Sequence, residues 1–144
     1  MIKPLAKVVA LTVFVCLIAI APACPATDSP EHRAQLLFPR FVGLSYAFAP
    51  AVANLYADGA HIVSVRKYPG GPERKFEMRG TKYKSLIRHT IPIAKARGDV
   101  STYSNISYQR EGARVWVRAT CYSVLKQYSS PYALLVGPPH PDNG

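Results

Sequence analysis

A chain of 144 residues has room for one compact domain. It carries 18 basic residues against 8 acidic ones, a formal net charge of +10, so any charged partner is an anion: nucleic acid, lipid or an acidic small molecule. Three cysteines do not make a disulfide framework, and the sequence holds no glycine-rich phosphate loop, Gly-x-Ser-x-Gly elbow or nucleic-acid module signature.

The chain opens as an address. Lys3 and Lys7 precede the apolar run Val8 to Ala23, which Pro22 interrupts before the roughly 20 apolar residues that a membrane span needs. Small residues at Ala21-Pro22-Ala23 and Cys24-Pro25-Ala26 offer cleavage after Ala23 or Ala26. Residues 1–26 therefore read as a secretory signal, and the protein as secreted or periplasmic with no stable membrane span after cleavage. Without Lys3 and Lys7 the exported part keeps 16 basic residues against 8 acidic, a net +8. Export argues against a specific nucleic-acid partner. Cys16 leaves with the signal, and His32, His61, His89 and His140 are too scattered for a metal site, so neither metal nor cofactor is expected.

Residues 27–30 form a polar leader, and residues 31–144 the domain. From Glu31 to Ala47 the residues Leu36, Leu37, Phe38, Phe41, Val42, Leu44 and Tyr46 fit one helical face that Pro39 either kinks or begins. Pro50 suits the first turn of a second, short helix with Val52, Leu55 and Tyr56 inward. Asp58-Gly59-Ala60 then stops that helix, the carboxylate accepting nearby backbone N-H groups and Gly59 taking the left-handed conformation. His61 to Tyr68 alternates as a strand with Ile62, Ser64 and Arg66 on one face. Pro69-Gly70-Gly71-Pro72 turns the chain into Arg74 to Arg79, completing a hairpin.

Thr81 to Arg97 returns to helical spacing through Tyr83, Leu86, Ile87, Ile91 and Ala94, with Pro92 expected to kink or stop it and Gly98 to close it. Its other side carries Lys84, Arg88 and Lys95. Strands follow at Ser101 to Gln109, Ala113 to Leu125 and, after the break Ser129-Ser130-Pro131, Tyr132 to Val136. Two helices, a hairpin, a third helix and a meander describe an α+β fold: a cone-shaped domain with a curved mixed or antiparallel sheet wrapped over about three helices.

This order, with Leu-Tyr-Ala-Asp-Gly-Ala-His-Ile at 55–62 and Gly-Thr-Lys-Tyr-Lys-Ser-Leu at 80–86, resembles the nuclear transport factor 2-like (SnoaL-like) superfamily over residues 31 to 144. The resemblance implies a pocket between sheet and helices that serves isomerases, cyclases, dehydratases or non-catalytic binding domains. In the steroid isomerase branch an aspartate base stands four residues beyond the Ala of this motif. That position is Ser64 here, and a serine takes no proton without a base of its own. The resemblance also implies a final strand after Val136, where this sequence has Gly-Pro-Pro-His-Pro-Asp-Asn-Gly. The last visible strand is then expected to present an unpaired edge, left open or filled by another subunit.

His89 and Asp58 are the remaining catalytic candidates, and neither is positioned as a base by sequence. Whether the protein is an enzyme stays open. Tyr46, Tyr56, Tyr83, Tyr103, Tyr108 and Tyr122 can each offer a phenol to a ligand. On the strand from Ala113, Trp116, Arg118, Thr120 and Tyr122 share one face, and Val115, Val117, Ala119 and Cys121 the other. If the first lines the pocket, Arg118 and Arg66 favour an anion; the apolar face is the ordinary inward one. The expected pocket comprises Tyr56, Ser64, Arg66, Tyr103, Trp116 and Arg118, the ligand is small and hydrophobic or anionic, and a homodimer through the sheet is possible. The reading is a small-ligand-binding, non-catalytic exported domain. The alternatives are an enzyme of isomerase, cyclase or dehydratase type, and an envelope interaction domain using the basic stretch Arg66 to Arg88.

Overall fold

The computed structural model describes residues 29–66 and 71–138, so the signal segment and most of the hairpin loop lie outside the described residues, as does His140. Helix α1 runs Pro30–Tyr46. Ser29 caps it, its hydroxyl accepting the His32 N-H at 3.1 Å, and Pro30 fills the first helical position, where no amide donor is needed. These two residues, assigned to the leader from sequence, belong to the helix. Pro39 neither stops nor starts it: Pro39 and Gln35, whose carbonyl loses its donor, are both exposed, on the side where solvent can satisfy that carbonyl.

The short helix at Pro50–Leu55 is of the tighter 3-10 kind, ending where Tyr56 turns extended. Its stop differs from the expected one. Gly59 is not left-handed; the Ala60 N-H closes a turn onto the Ala57 carbonyl at 3.1 Å instead. Strands β1 (His61–Arg66) and β2 (Arg74–Arg79) pair antiparallel, and α2 follows at once over Gly80–Arg97. Pro92 again sits on the exposed side and the helix continues through it, until Gly98 at φ 60° closes it as expected.

Three antiparallel strands complete the chain: β3 (Ser101–Glu111), β4 (Arg114–Ser123) and β5 (Tyr128–Val136). A bulge between Ser104 and Ser107 bends β3, with Asn105 left-handed and its side chain donating to the Thr120 hydroxyl. The last strand starts earlier than the sequence suggests. Pro131 is accommodated inside β5 because an edge strand needs ladder bonds on one side only.

The α+β class and the antiparallel strands are as expected, but the strands divide into two open sheets, β1-β2 and β3-β4-β5, rather than joining in one. Among the described residues, the elements touching the hairpin are α2 alone, while α1 lies across β3, β4 and β5. Ala34, Phe38 and Phe41, spaced one helical face apart, pack on Val115, Val117 and Ala119 of β4 and on Val136. The apolar face of β4 is thus the inward one.

Candidate functional site

Beyond that core the wall opens into a cavity of about 230 Å³ between α1, the 3-10 helix, α2 and the three-stranded sheet. Its apolar lining comes from Phe41 and Phe48, Val52, and Ile87, Ile91 and Ala94 of α2. Tyr56, just past the 3-10 helix, Tyr83 of α2, Tyr103 of β3 and Tyr132 of β5 supply the phenols. Ser45 and Asp99 are the other polar members. Phe48 holds a left-handed backbone (φ 53°), which costs a bulky residue of order 1 kcal/mol and is tolerated where its surroundings fix it.

The rings form one connected cluster. Tyr56 meets Tyr83 edge-on with centroids 5.0 Å apart and Phe41 at 6.4 Å; Phe41 stacks on Tyr132 at 5.8 Å, and Tyr132 meets Tyr103 at 5.3 Å. Such offset and edge contacts fix ring orientation. The Tyr56 hydroxyl is electrostatically coupled to those of Tyr132 and Tyr83, and that of Tyr103 to the thiol of Cys121, its cross-strand neighbour. Burial, and then the neighbouring hydroxyls, push the Tyr56 phenol far above its ordinary range. Burial raises Tyr103 and Tyr132 as well, and Tyr83 chiefly for the same reason. All four stay protonated at neutral pH and act as hydrogen-bond donors rather than bases.

A phenol with a raised folded-state pKa holds its proton more tightly in the native protein, so its contribution is complete below the ordinary phenol value of about 10 and is lost as pH rises above it. The urea midpoint is expected to hold up to about pH 10 and to fall progressively above it, with part of the phenolate absorbance appearing only as the chain unfolds. A midpoint that stays flat above that pH while all nine tyrosines ionise would show that the phenols are open to water.

The expected pocket residues separate. Tyr56 and Tyr103 line the cavity, whereas Trp116 and Arg118 lie on the opposite, outward face of β4, where the guanidinium sits 5.5 Å from the indole centroid. The register decides this: Val115, Val117 and Ala119 are buried, so the residues alternating with them face outward. Ser64 is exposed on β1 opposite Phe76, away from the cavity wall. Arg66 ends β1, in the hairpin that touches only α2.

The two catalytic candidates are also outside. His89 is exposed on α2 with Nδ1 donating to the Ser85 carbonyl at 2.8 Å, and Asp58 accepts from Lys84 Nζ at 2.6 Å on the surface. Of the other tyrosines, Tyr83 joins the cavity, Tyr108 packs on the core, and Tyr46 and Tyr122 are exposed. Sequence reasoning passed over Tyr132, Phe48 and Asp99. Tyr132 alternates with the inward Leu134 and Val136, a pattern that could have found it; nothing in sequence marks Phe48 or Asp99.

Fold and site together define an α+β domain with an open aromatic cavity and no histidine in its wall. The chain matches no protein-family model, no curated protein and no solved structure. Among the described residues no group of three His, Cys, Asp or Glu comes together, and no helix is long and apolar enough to cross a membrane.

Proposed function

We propose that this chain is an exported, divergent domain of nuclear transport factor 2-like type that binds a small, mainly apolar molecule in the tyrosine cavity and leaves it unchanged. The convergence of four protonated phenols on one apolar space carries the reading: they suit a ligand with a carbonyl or ether oxygen and a flat hydrocarbon body. With Arg118 outside and Asp99 in the wall, a neutral ligand is favoured over an anion. An isomerase-type enzyme would have to use Asp99 as its base, since it is the one carboxylate of the lining. A homodimer through the sheet would bury the outward face bearing Trp116, and sedimentation equilibrium giving monomer at every concentration removes that part of the reading.

A thermal-shift screen with bicyclic aromatic carbonyl compounds, coumarins and naphthoquinones, tests the proposal. Binding is expected to raise the Tm with ligand concentration, and Tyr56→Phe to weaken it about fivefold to tenfold, the worth of one lost hydrogen bond. No shift with any compound, or shifts indifferent to Tyr56→Phe, would count against it. Turnover of a bound compound that Asp99→Asn abolishes would replace it with the enzymatic reading.

A further inference from the structure

We propose that the β1-β2 hairpin is a docking element for an anionic lipid surface. A two-stranded hairpin is marginal by itself, and this one leans on the rest of the fold only where α2 begins. Its apolar side chains grow more exposed with distance from that contact. Ile62 and Met78, nearest to α2, are half-buried, whereas Val63 is 46 % exposed, Val65 48 % and Phe76 51 %.

The register sends these residues to both sides. Ile62, Ser64, Phe76 and Met78 share one face; Val63 and Val65 share the other with Lys75, Glu77 and Arg79. A flat protein partner covers one face of a hairpin and leaves the other wet. A headgroup layer surrounds both, so the two-sided exposure selects a lipid interface over a second copy of the chain.

Charge selects the kind of lipid. Between positions 66 and 88 the chain has eight Lys and Arg against two acidic residues, Glu73 and Glu77. Glu77 is already engaged, by Lys75 and by His61 at 3.2 Å. Exposed valine and phenylalanine set among cations match a surface with hydrocarbon beneath anionic headgroups. This docking is independent of whatever fills the tyrosine cavity.

Cosedimentation of the full chain with vesicles tests it. Binding is expected to vesicles of phosphatidylglycerol and phosphatidylcholine in equal parts, not to phosphatidylcholine alone, and to be released at about 0.5 M salt. The pair Lys75→Gln and Arg79→Gln is expected to weaken it by about 25-fold, about fivefold for each cation. The pair Val65→Ser and Phe76→Ser, which removes only exposed groups, should weaken it about tenfold at unchanged Tm. In the wild-type chain, amide exchange in β1 and β2 should slow on adding the anionic vesicles, a readout that needs no variant.

No binding to the anionic vesicles overturns the proposal. So does binding that the hairpin variants leave untouched, which would belong to the apolar run Val8 to Ala23, or unslowed exchange in both strands. Equal retention by soluble heparin without vesicle binding would assign the surface to a polymer. A dimer that dissociates in the Val65→Ser, Phe76→Ser variant, with no vesicle binding, would assign it to a second copy.

Discussion

Gly80→Ala is expected to destabilise the domain by about 3 kcal/mol or more and to lower its Tm by about 15 °C, although alanine is the better helix former. The reason is the turn against which α2 starts. A Cβ at position 80 would lie 1.9 Å from the Ala57 carbonyl oxygen and 3.1 Å from both Ala57 C and Asp58 O, all of them backbone atoms. Relief requires pulling the turn at 57–60 away from α2. That motion breaks the bonds from Gly80 N-H to Ala60 O (2.7 Å) and from Thr81 N-H to Asp58 O (3.3 Å), and loosens the Asp58–Lys84 ion pair. Each backbone bond contributes about 1 kcal/mol net, which adds to the strain itself. Gly43→Ala is the control: its Cβ meets nothing within 4 Å inside α1, so the same change should stabilise by about 0.5–1 kcal/mol there. Urea unfolding of the two variants reads opposite signs from one chemical change. A stabilised Gly80→Ala would mean that the turn yields freely.

This contact joins the two stretches, 55–62 and 80–86, that carried the family resemblance in the sequence. Their spacing was legible, but the reason for the glycine was not, because it lies in a neighbour more than twenty residues away. The same division runs through the fold. Helix faces, the hairpin and the strand alternation of β4 follow from local period, and the inward face of β4 followed from its valines. The prolines at 39, 92 and 131 misled because their cost depends on whether the neglected carbonyl or edge meets water, which is a tertiary fact.

The site was less legible than the fold. Tyr56 and Tyr103 were marked, but Trp116 and Arg118 face away, and a cavity wall assembled from helices, turns and strands far apart in the chain has no local signature. Phe48 enters it only through a left-handed turn, and Asp99 only because Gly98 ends α2. Division of the strands between two sheets removed Ser64 from the wall as well and put the backbone of Arg66 in the separate hairpin. A position read by analogy from one continuous sheet does not transfer to a hairpin that stands apart.

Phe38→Ala is expected to cost about 3–5 kcal/mol, a large fraction of the 5–15 kcal/mol typical of a whole domain. Phe38 is 1 % exposed and joins α1 to the sheet, its ring 5.6 Å from Tyr103, 6.0 Å from Phe41 and 6.4 Å from Tyr132. It does not line the tyrosine cavity, yet it touches three residues that do, so truncation acts on both stability and cavity. If the surroundings hold, an apolar void opens behind Phe41 and benzene binds there, raising the variant's Tm but not that of the wild type. If they collapse, Tyr103 and Tyr132 shift into the space and the phenols no longer converge, so the binding proposed for coumarin-type compounds would be lost even where the variant remains folded. Urea midpoints at constant m-value, with and without benzene, separate the two. A cost below about 1 kcal/mol would mean that α1 is not seated on the sheet through Phe38 and that the cavity has a different floor.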